Sequence, residues 1–355
     1  MIRLGYVGAG FMAQAVHLPN FMALPDCEVV ALAELRPQLG RLVAERFGIP
    51  RLYRHHTELI ADPDIDAVAV SAHFTHQAQV AEDALRAGKP VFMEKPVALT
   101  AERARRLLQA EQEGGARLMV AYMKRYDAGN ELAKRLIDEY RQTGALGDLF
   151  YARVHCYYDD WTRGNAATVV QTDEPYPPAE LETPEWLPEN LHSSYIDFVQ
   201  LYCHHINLIR WFLGEEADAR VIAADFNADG MTGATILHIG DVRVVLETGM
   251  QRSLRWDAYF HLDFRRGWVR VSIPQLLVRN TCAQVEVCAT EREMEYRQIF
   301  PADGWSWSYQ REAQHFIECL HTGAPFRTPS HDALRDTELL EGIYRRWLQG
   351  ETRAP

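Results

Sequence analysis

Cysteine is scarce in this chain of 355 residues. The six cysteines, at positions 27, 156, 203, 282, 288 and 319, form no C-x-x-C pair. That scatter argues against a disulfide framework or a structural zinc site and fits a reducing compartment, with the cytoplasm as the expected location. No run of about eighteen apolar residues occurs, so no membrane-spanning helix is expected. The N-terminus lacks the apolar core and small-residue cleavage site of a signal peptide. Basic residues are outnumbered, 37 Lys and Arg against 49 Asp and Glu, and the net charge of −12 argues against nucleic acid and anionic membrane as partners. There is no internal repeat. His55, His56 and the other histidines lack ligand spacing to acids or cysteines, so no metal is expected.

Apolar residues make up 47% of the chain, ample for real cores, and the length suggests two domains. Over the first 120 residues, short apolar runs alternate with helical patterns. Strands are predicted at 2–7, 28–33, 66–71, 89–94 and 117–122, with helices over 11–23, 37–47, 76–87 and 100–113. Fully apolar strands alternating with helices imply a doubly wound parallel sheet covered on both faces. After residue 122 the rhythm changes. A helix is predicted over 129–140, then strands at 149–158, 220–226, 235–239, 242–250, 259–264, 267–273 and 284–288. Strands in succession with short polar turns argue for a mostly antiparallel open sheet. Helical patterns at 308–321 and 332–349 close the chain. The expected fold is α/β plus α+β, with residues 1–123 as the nucleotide-binding domain and 124–355 as the substrate-binding and oligomerisation domain.

One segment, "QTDEPYPPAELETPEWLPEN" (171–190), carries five prolines, six acids and no basic residue. It reads as a long irregular excursion. Two readings stay open, a solvated insertion or a functional segment such as a lid or a subunit contact.

"GAGFMA", Gly8 to Ala13, fits G-x-G-x-x-G/A, follows a predicted strand and opens a predicted helix. Gly8 permits the tight turn, Gly10 lets backbone approach a pyrophosphate, and Ala13 lets helix and strand pack closely. Phe11 and Met12 open the helix whose unpaired N–H groups and dipole favour phosphate. Glu34 ends the second strand about twenty residues on, where a ribose-binding acid belongs. Its carboxylate accepts from ribose hydroxyls and repels a 2′-phosphate, which favours NAD, with NADP possible. Arg36 can reach a 2′-phosphate or can be a surface residue ahead of Pro37.

"KPVFMEKPVALT" ends a strand at Glu94 and Lys95. Ligands of such sheets bind outside the carboxyl ends of the strands. Partial burial and a nearby nicotinamide cation both disfavour an ammonium there, so Lys95 can exchange a proton with a hydroxyl. Glu94 can pair with Lys95 or bind the nicotinamide ribose.

With "GYVGAGFMA", the acid in "ALAEL", "SAHFTHQAQVAEDALRAGKPVFMEKPVAL" and "HHINLIRWFLG", the chain resembles the glucose–fructose oxidoreductase / inositol dehydrogenase (Gfo/Idh/MocA) family over nearly its whole length. The resemblance implies that Lys95 is a catalytic acid/base. It puts Ser71 and His76 beside the cofactor, with His73 in place of an Asn near the nicotinamide half; a plain helix N-terminal role for His76 stays open. The family's Asp-x-x-x-His pattern places the histidine at His205 and leaves Leu201 where the aspartate belongs. Asp197, Tyr202 and His204 are the nearby candidates to orient His205, although Asp197 is two turns away and His204 points about a hundred degrees aside. Lys124 and Arg125 fall in a segment that lines the cleft of similar proteins, and Arg125 can bind substrate oxygens or Glu94. Tyr157, Tyr158 and Trp161 form an aromatic cluster of the kind sugars contact, although the two tyrosines alternate on a strand. The expected substrate contacts are Lys95, Arg125, Tyr158, Trp161, His204 and His205.

The leading expectation is an NAD(P)-dependent oxidoreductase acting on a secondary hydroxyl or ketone of a sugar, polyol or sugar-like compound. Two alternatives stand beside it: an NAD-dependent glycosidase with transient oxidation, and a regulator that senses NAD(P) without turnover. Similar proteins imply a homodimer or homotetramer.

Overall fold

The computed structural model describes residues 1–178, 182–251, 256–290 and 294–351. Residues 179–181 of the acidic excursion lie outside this set. The chain separates into two compact units. The first comprises Met1–Tyr122, Ala166–Pro184 and Tyr309–Thr337; the second comprises Met123–Asn165, Glu185–Ser308 and Glu338–Pro355. A division at a single point in the sequence does not capture this arrangement, because two later segments join the first unit.

The first unit holds β1 (Ile2–Val7), β2 (Cys27–Ala33), β3 (Arg51–Tyr53), β4 (Ala67–Val70), β5 (Val91–Glu94) and β6 (Leu118–Ala121). They form one sheet in the order β3-β2-β1-β4-β5-β6, and every pair is parallel. β4, β5 and β6 are buried at every position, as strands covered on both faces must be. The helices between them are α1 (Leu18–Met22), α2 (Pro37–Phe47), α3 (His56–Ala61), α4 (Phe74–Arg86) and α5 (Ala101–Gly114). α2 starts on Pro37, whose missing N–H is harmless there, and ends on Gly48 at φ +65°.

Two features of this unit depart from the sequence pattern. β3 and α3 are short and were not anticipated. The helix expected over 11–23 is wound wide from Ala13 to His17 before it tightens into α1. Pro19 explains the change: it has no N–H to donate to the carbonyl four residues back, so the hydrogen-bond ladder shifts by a residue.

The second unit contains α6 (Ala128–Thr143), β7 (Leu149–Tyr158) and α7 (His192–Leu213). Its remaining strands are β8 (Ala219–Phe226), β9 (Gly233–Ile239), β10 (Val242–Met250), β11 (Asp257–Phe264), β12 (Gly267–Ser272), β13 (Gln284–Thr290) and β14 (Met294–Ile299). The eight strands run β14-β13-β12-β11-β7-β10-β9-β8. Among the described residues only β7 and β10 pair in parallel, so the sheet is mostly antiparallel, as expected. β14 was not anticipated. α8 (Ser308–Thr322) and α9 (Ser330–Glu351) close the chain. Within the first unit, Phe316 of α8 meets Phe21 and Phe92 edge-on, with ring centroids 6.3 and 5.6 Å apart. Among the described residues no helix is long and apolar enough to cross a membrane.

Candidate active site

The turn after β1 carries Gly8 at φ +99°, a conformation that favours glycine. A Cβ there would stand 2.7 Å from the Ser71 carbonyl oxygen, so the turn also needs glycine for space. Beside Gly10 nothing lies within 4 Å of an added Cβ, leaving the open ground a pyrophosphate requires. Glu34, at the end of β2, is 5% exposed. Its Oε2 accepts from the Ala9 N–H at 2.8 Å, which ties the glycine turn to β2. Arg36 grips the same carboxylate through Nε at 2.8 Å and Nη2 at 3.1 Å. Arg36 is thus held by Glu34, which narrows the two readings that the sequence left open. Phe11 and Met12 are half-buried at the mouth of the turn.

At the end of β4, the Ser71 hydroxyl pairs with the Tyr6 phenol at 2.7 Å. His73 caps α4, with its Nδ1 2.8 Å from the Thr75 hydroxyl, and Thr75 Oγ1 lies 2.9 Å from His76 Nδ1. Burial, and then the charge of His76, lowers the His73 pKa; burial, and then His56, lowers that of His76. Both rings face Tyr176, at centroid distances of 5.2 and 5.3 Å. Together Gly8, Glu34, Leu35, Arg54, His76 and Tyr176 line a recess with about 440 Å3 of empty space, part of it open to solvent. A positive-φ glycine turn, open ground at Gly10, a carboxylate at the end of β2 and a largely apolar recess beside it fit a dinucleotide.

Glu94 ends β5 and is 6% exposed. Its Oε1 meets His17 Nε2 at 2.7 Å, and its Oε2 accepts the Lys95 N–H at 3.0 Å. The widened turn Ala13–His17 is what brings His17 to this carboxylate. Lys95 is half-buried directly beyond β5. Glu312 of α8 is fully buried, and among the described residues neither of its side-chain oxygens has a hydrogen-bond partner. Burial, with the Glu94 charge second, raises its pKa well above the usual carboxyl value.

In the second unit, His205 of α7 is fully buried, and its Nε2 lies 3.2 Å from Lys124 Nζ. Lys124 comes from the short helical turn Met123–Tyr126 and is 4% exposed. Burial first, and the Lys124 charge second, drive the His205 pKa well below its usual range. Leu201 contributes no acid, and the group found beside the imidazole is a lysine rather than Asp197, Tyr202 or His204. Tyr202 is engaged with Gly249, donating to its carbonyl at 3.1 Å and accepting its N–H at 2.8 Å. Asp197 is exposed. His204 is buried next to His205.

Arg125 is fully buried, with Nη1 2.9 Å from Glu215, Nη2 3.1 Å from the Asn207 carbonyl and its guanidinium 5.8 Å from the Trp211 ring centroid. Tyr158 donates its hydroxyl to the Leu201 carbonyl and packs edge-on against His205 at 6.3 Å, which makes it a wall of the histidine's pocket. Trp161 is half-buried in the turn after β7. The residue before it, Asp160, accepts from Gln275 Nε2 at 2.9 Å through its carbonyl, and Gln275 lines a recess with Lys124, Val278 and Trp307.

Sequence reasoning missed His17, Tyr176 and Glu312. None sits in a local motif; each gains its role from partners far along the chain.

Comparison with known proteins gives concordant results. The oxidoreductase family with an NAD-binding Rossmann fold matches residues 2–122. An inositol 2-dehydrogenase of Burkholderia cenocepacia is 30% identical over 249 residues, covering 69% of this chain; the chain spans 63% of that relative's length. An inositol 2-dehydrogenase of Salmonella typhimurium is 25% identical over 341 residues, 93% of this chain and 89% of that protein. Among solved structures, a 3-ketoreductase from Actinomadura kijaniata in complex with TDP-benzene and NADP superposes with a TM-score of 0.72 at 21% identity, covering 98% of both chains. An oxidoreductase from Agrobacterium radiobacter in complex with NAD+, L-tartaric acid and magnesium gives 0.72 at 18% identity, covering 98% and 97%. At these identities the structural likeness establishes the fold.

Proposed function

We propose that the chain is a member of the Gfo/Idh/MocA family and an NAD-linked oxidoreductase of a sugar, polyol or sugar-like compound. In this reading the reacting group is a secondary hydroxyl or its ketone. The observation that carries it is Lys95 at the carboxyl end of β5, in the same compact unit as the Gly8 turn and Glu34. The named relatives support the substrate class.

When bound, the nicotinamide supplies the acceptor or donor of hydride. Gly8, Gly10, Phe11 and Met12 hold the pyrophosphate end, and Glu34 holds the adenosine ribose. Ser71, His73 and His76 line the path between them. Lys95 Nζ takes the hydroxyl proton during oxidation and returns it during reduction. Glu94 fixes the Lys95 backbone through its Oε2 and is itself held by His17. In the second unit we assign substrate contact to His205 and Lys124. A neutral imidazole beside an ammonium can accept at Nε2 while the ammonium donates, so the pair offers a substrate oxygen a polarised donor. Tyr158 and Arg125 act by shaping and bracing this pair, their polar groups being engaged within the fold.

A cofactor-coupled screen of free sugars, polyols and nucleotide sugars, with NAD and NADP in parallel, tests the proposal. Saturable reduction of cofactor by at least one such compound is expected. Tight cofactor binding without turnover on any of them would instead support a sensor.

A further inference from the structure

The acidic, proline-rich excursion packs on the first unit, and its contacts converge on the end of β2. Its approach is pinned by Gln14, whose Nε2 donates to the Val170 carbonyl at 2.9 Å and whose Oε1 accepts the Val170 N–H at 2.8 Å. Arg46 donates to the Thr168 carbonyl at 2.6 Å. Tyr176 then lies in the wall of the recess described above. Its hydroxyl accepts the His73 N–H at 3.3 Å, and the Arg36 guanidinium stands 5.1 Å from its ring centroid. Between these points, Glu174 accepts the N–H groups of Gln38 at 3.0 Å and Leu39 at 2.9 Å, in the first turn of α2. Desolvation works against its charge, but those two amides, the Thr172 hydroxyl and Arg36 outweigh it and lower the Glu174 pKa. The group is a carboxylate at neutral pH.

A dinucleotide carrying a 2′-phosphate needs donors at this end of β2, where an arginine commonly supplies them. Besides Arg54 in the wall of the recess, two such donors lie at the start of α2, Arg36 and the opening amides. Both are occupied by acids, Arg36 by Glu34 and the amides by Glu174. A 2′-phosphate at the start of α2 would therefore meet two carboxylates and find both donors there taken, which is discrimination by an unfavourable contact with the competitor.

We propose that Glu174, supplied by the excursion, is a specificity determinant that together with Glu34 makes the site select NAD over NADP. The proposal rests on the dinucleotide reading of this unit given above. It assigns the excursion a function: it closes the adenosine end of the recess with Tyr176 and places a negative charge where the extra phosphate would go.

The test is calorimetric binding of NAD and of NADP to the full-length protein, with no substrate present. Wild type is expected to bind NAD more tightly. Glu174→Gln keeps an acceptor for one α2 amide but removes the charge. It is expected to narrow the ratio of NADP to NAD dissociation constants by about tenfold, the size of one favourable charge contact in a partly exposed site. An unaltered ratio in Glu174→Gln overturns the proposal while leaving the dinucleotide reading intact. A wild type that prefers NADP also overturns it. Wild type that binds neither cofactor overturns both.

Discussion

Lys124 Nζ stands 3.2 Å from His205 Nε2, and both side chains are buried. Two cationic groups at that distance in an apolar site are unfavourable, so the imidazole remains neutral and accepts. Leu201, one turn before His205, offers the ring no acid, and the charged group at its Nε2 is Lys124. The consequence is electrostatic: an acid would raise the imidazole's basicity, whereas Lys124 lowers it.

Replacing Lys124 with methionine removes the neighbouring charge but leaves the burial. The His205 pKa is then expected to rise part of the way toward its ordinary value, because burial is the larger cause. Titration of the imidazole proton resonances measures this directly, and an unmoved pKa would show that Lys124 exerts no field on the ring. Activity in the same variant is expected to fall about a hundredfold, in the range of a lost proton-handling group.

His205 also shapes acid stability. Its pKa is depressed in the folded chain, so below its ordinary value of 6.5 the unfolded chain binds a proton that the folded chain does not. Stability therefore falls as pH drops below that point. His205→Gln is expected to flatten the slope of the thermal midpoint between neutral pH and mild acid. An identical slope in the variant would contradict the assignment.

Glu312 acts with the opposite sign. Its pKa is raised in the folded chain, so above the ordinary 4.5 the unfolded chain releases a proton that the folded chain keeps. Stability falls as pH rises through that window. Glu312→Gln is expected to raise the thermal midpoint at neutral pH and change little near pH 4. A midpoint lowered at neutral pH would mean that the carboxyl makes a favourable contact as an anion.

Gly8→Ala tests the turn. The substitution puts a Cβ at φ +99° and 2.7 Å from the Ser71 carbonyl. Backbone strain of this kind costs about 1–3 kcal/mol, and denaturant unfolding should show a loss of at least that size. NAD affinity should drop as well, since Ser71 and the turn share the site. A variant as stable as wild type would show that the turn relaxes freely.

The parts legible in the sequence are those specified locally. The glycine turn, Glu34 at the end of β2 and Lys95 after β5 each sit within a single strand–turn–helix unit, and apolar periodicity marks those elements. β3 and α3 escaped because three and six residues are too short to show a period. The widened turn at Ala13–His17 depends on how Pro19 is accommodated, which the apolar pattern does not encode. The pairing of Lys124 with His205, 81 residues apart, and the reach of Glu174 to α2, more than 130 residues back, are tertiary and leave no spacing signal. Leu201 was legible as a missing acid, but what replaced it was not.

The most direct test of the account is a single-turnover measurement on Lys95→Ala with a substrate identified by the screen, alongside NAD binding to the same variant. The account predicts retained NAD binding and a hydride-transfer step slowed by roughly 10²–10⁴, partly restored by added small primary amines. Transfer at the wild-type rate would place the acid/base on another group and contradict it.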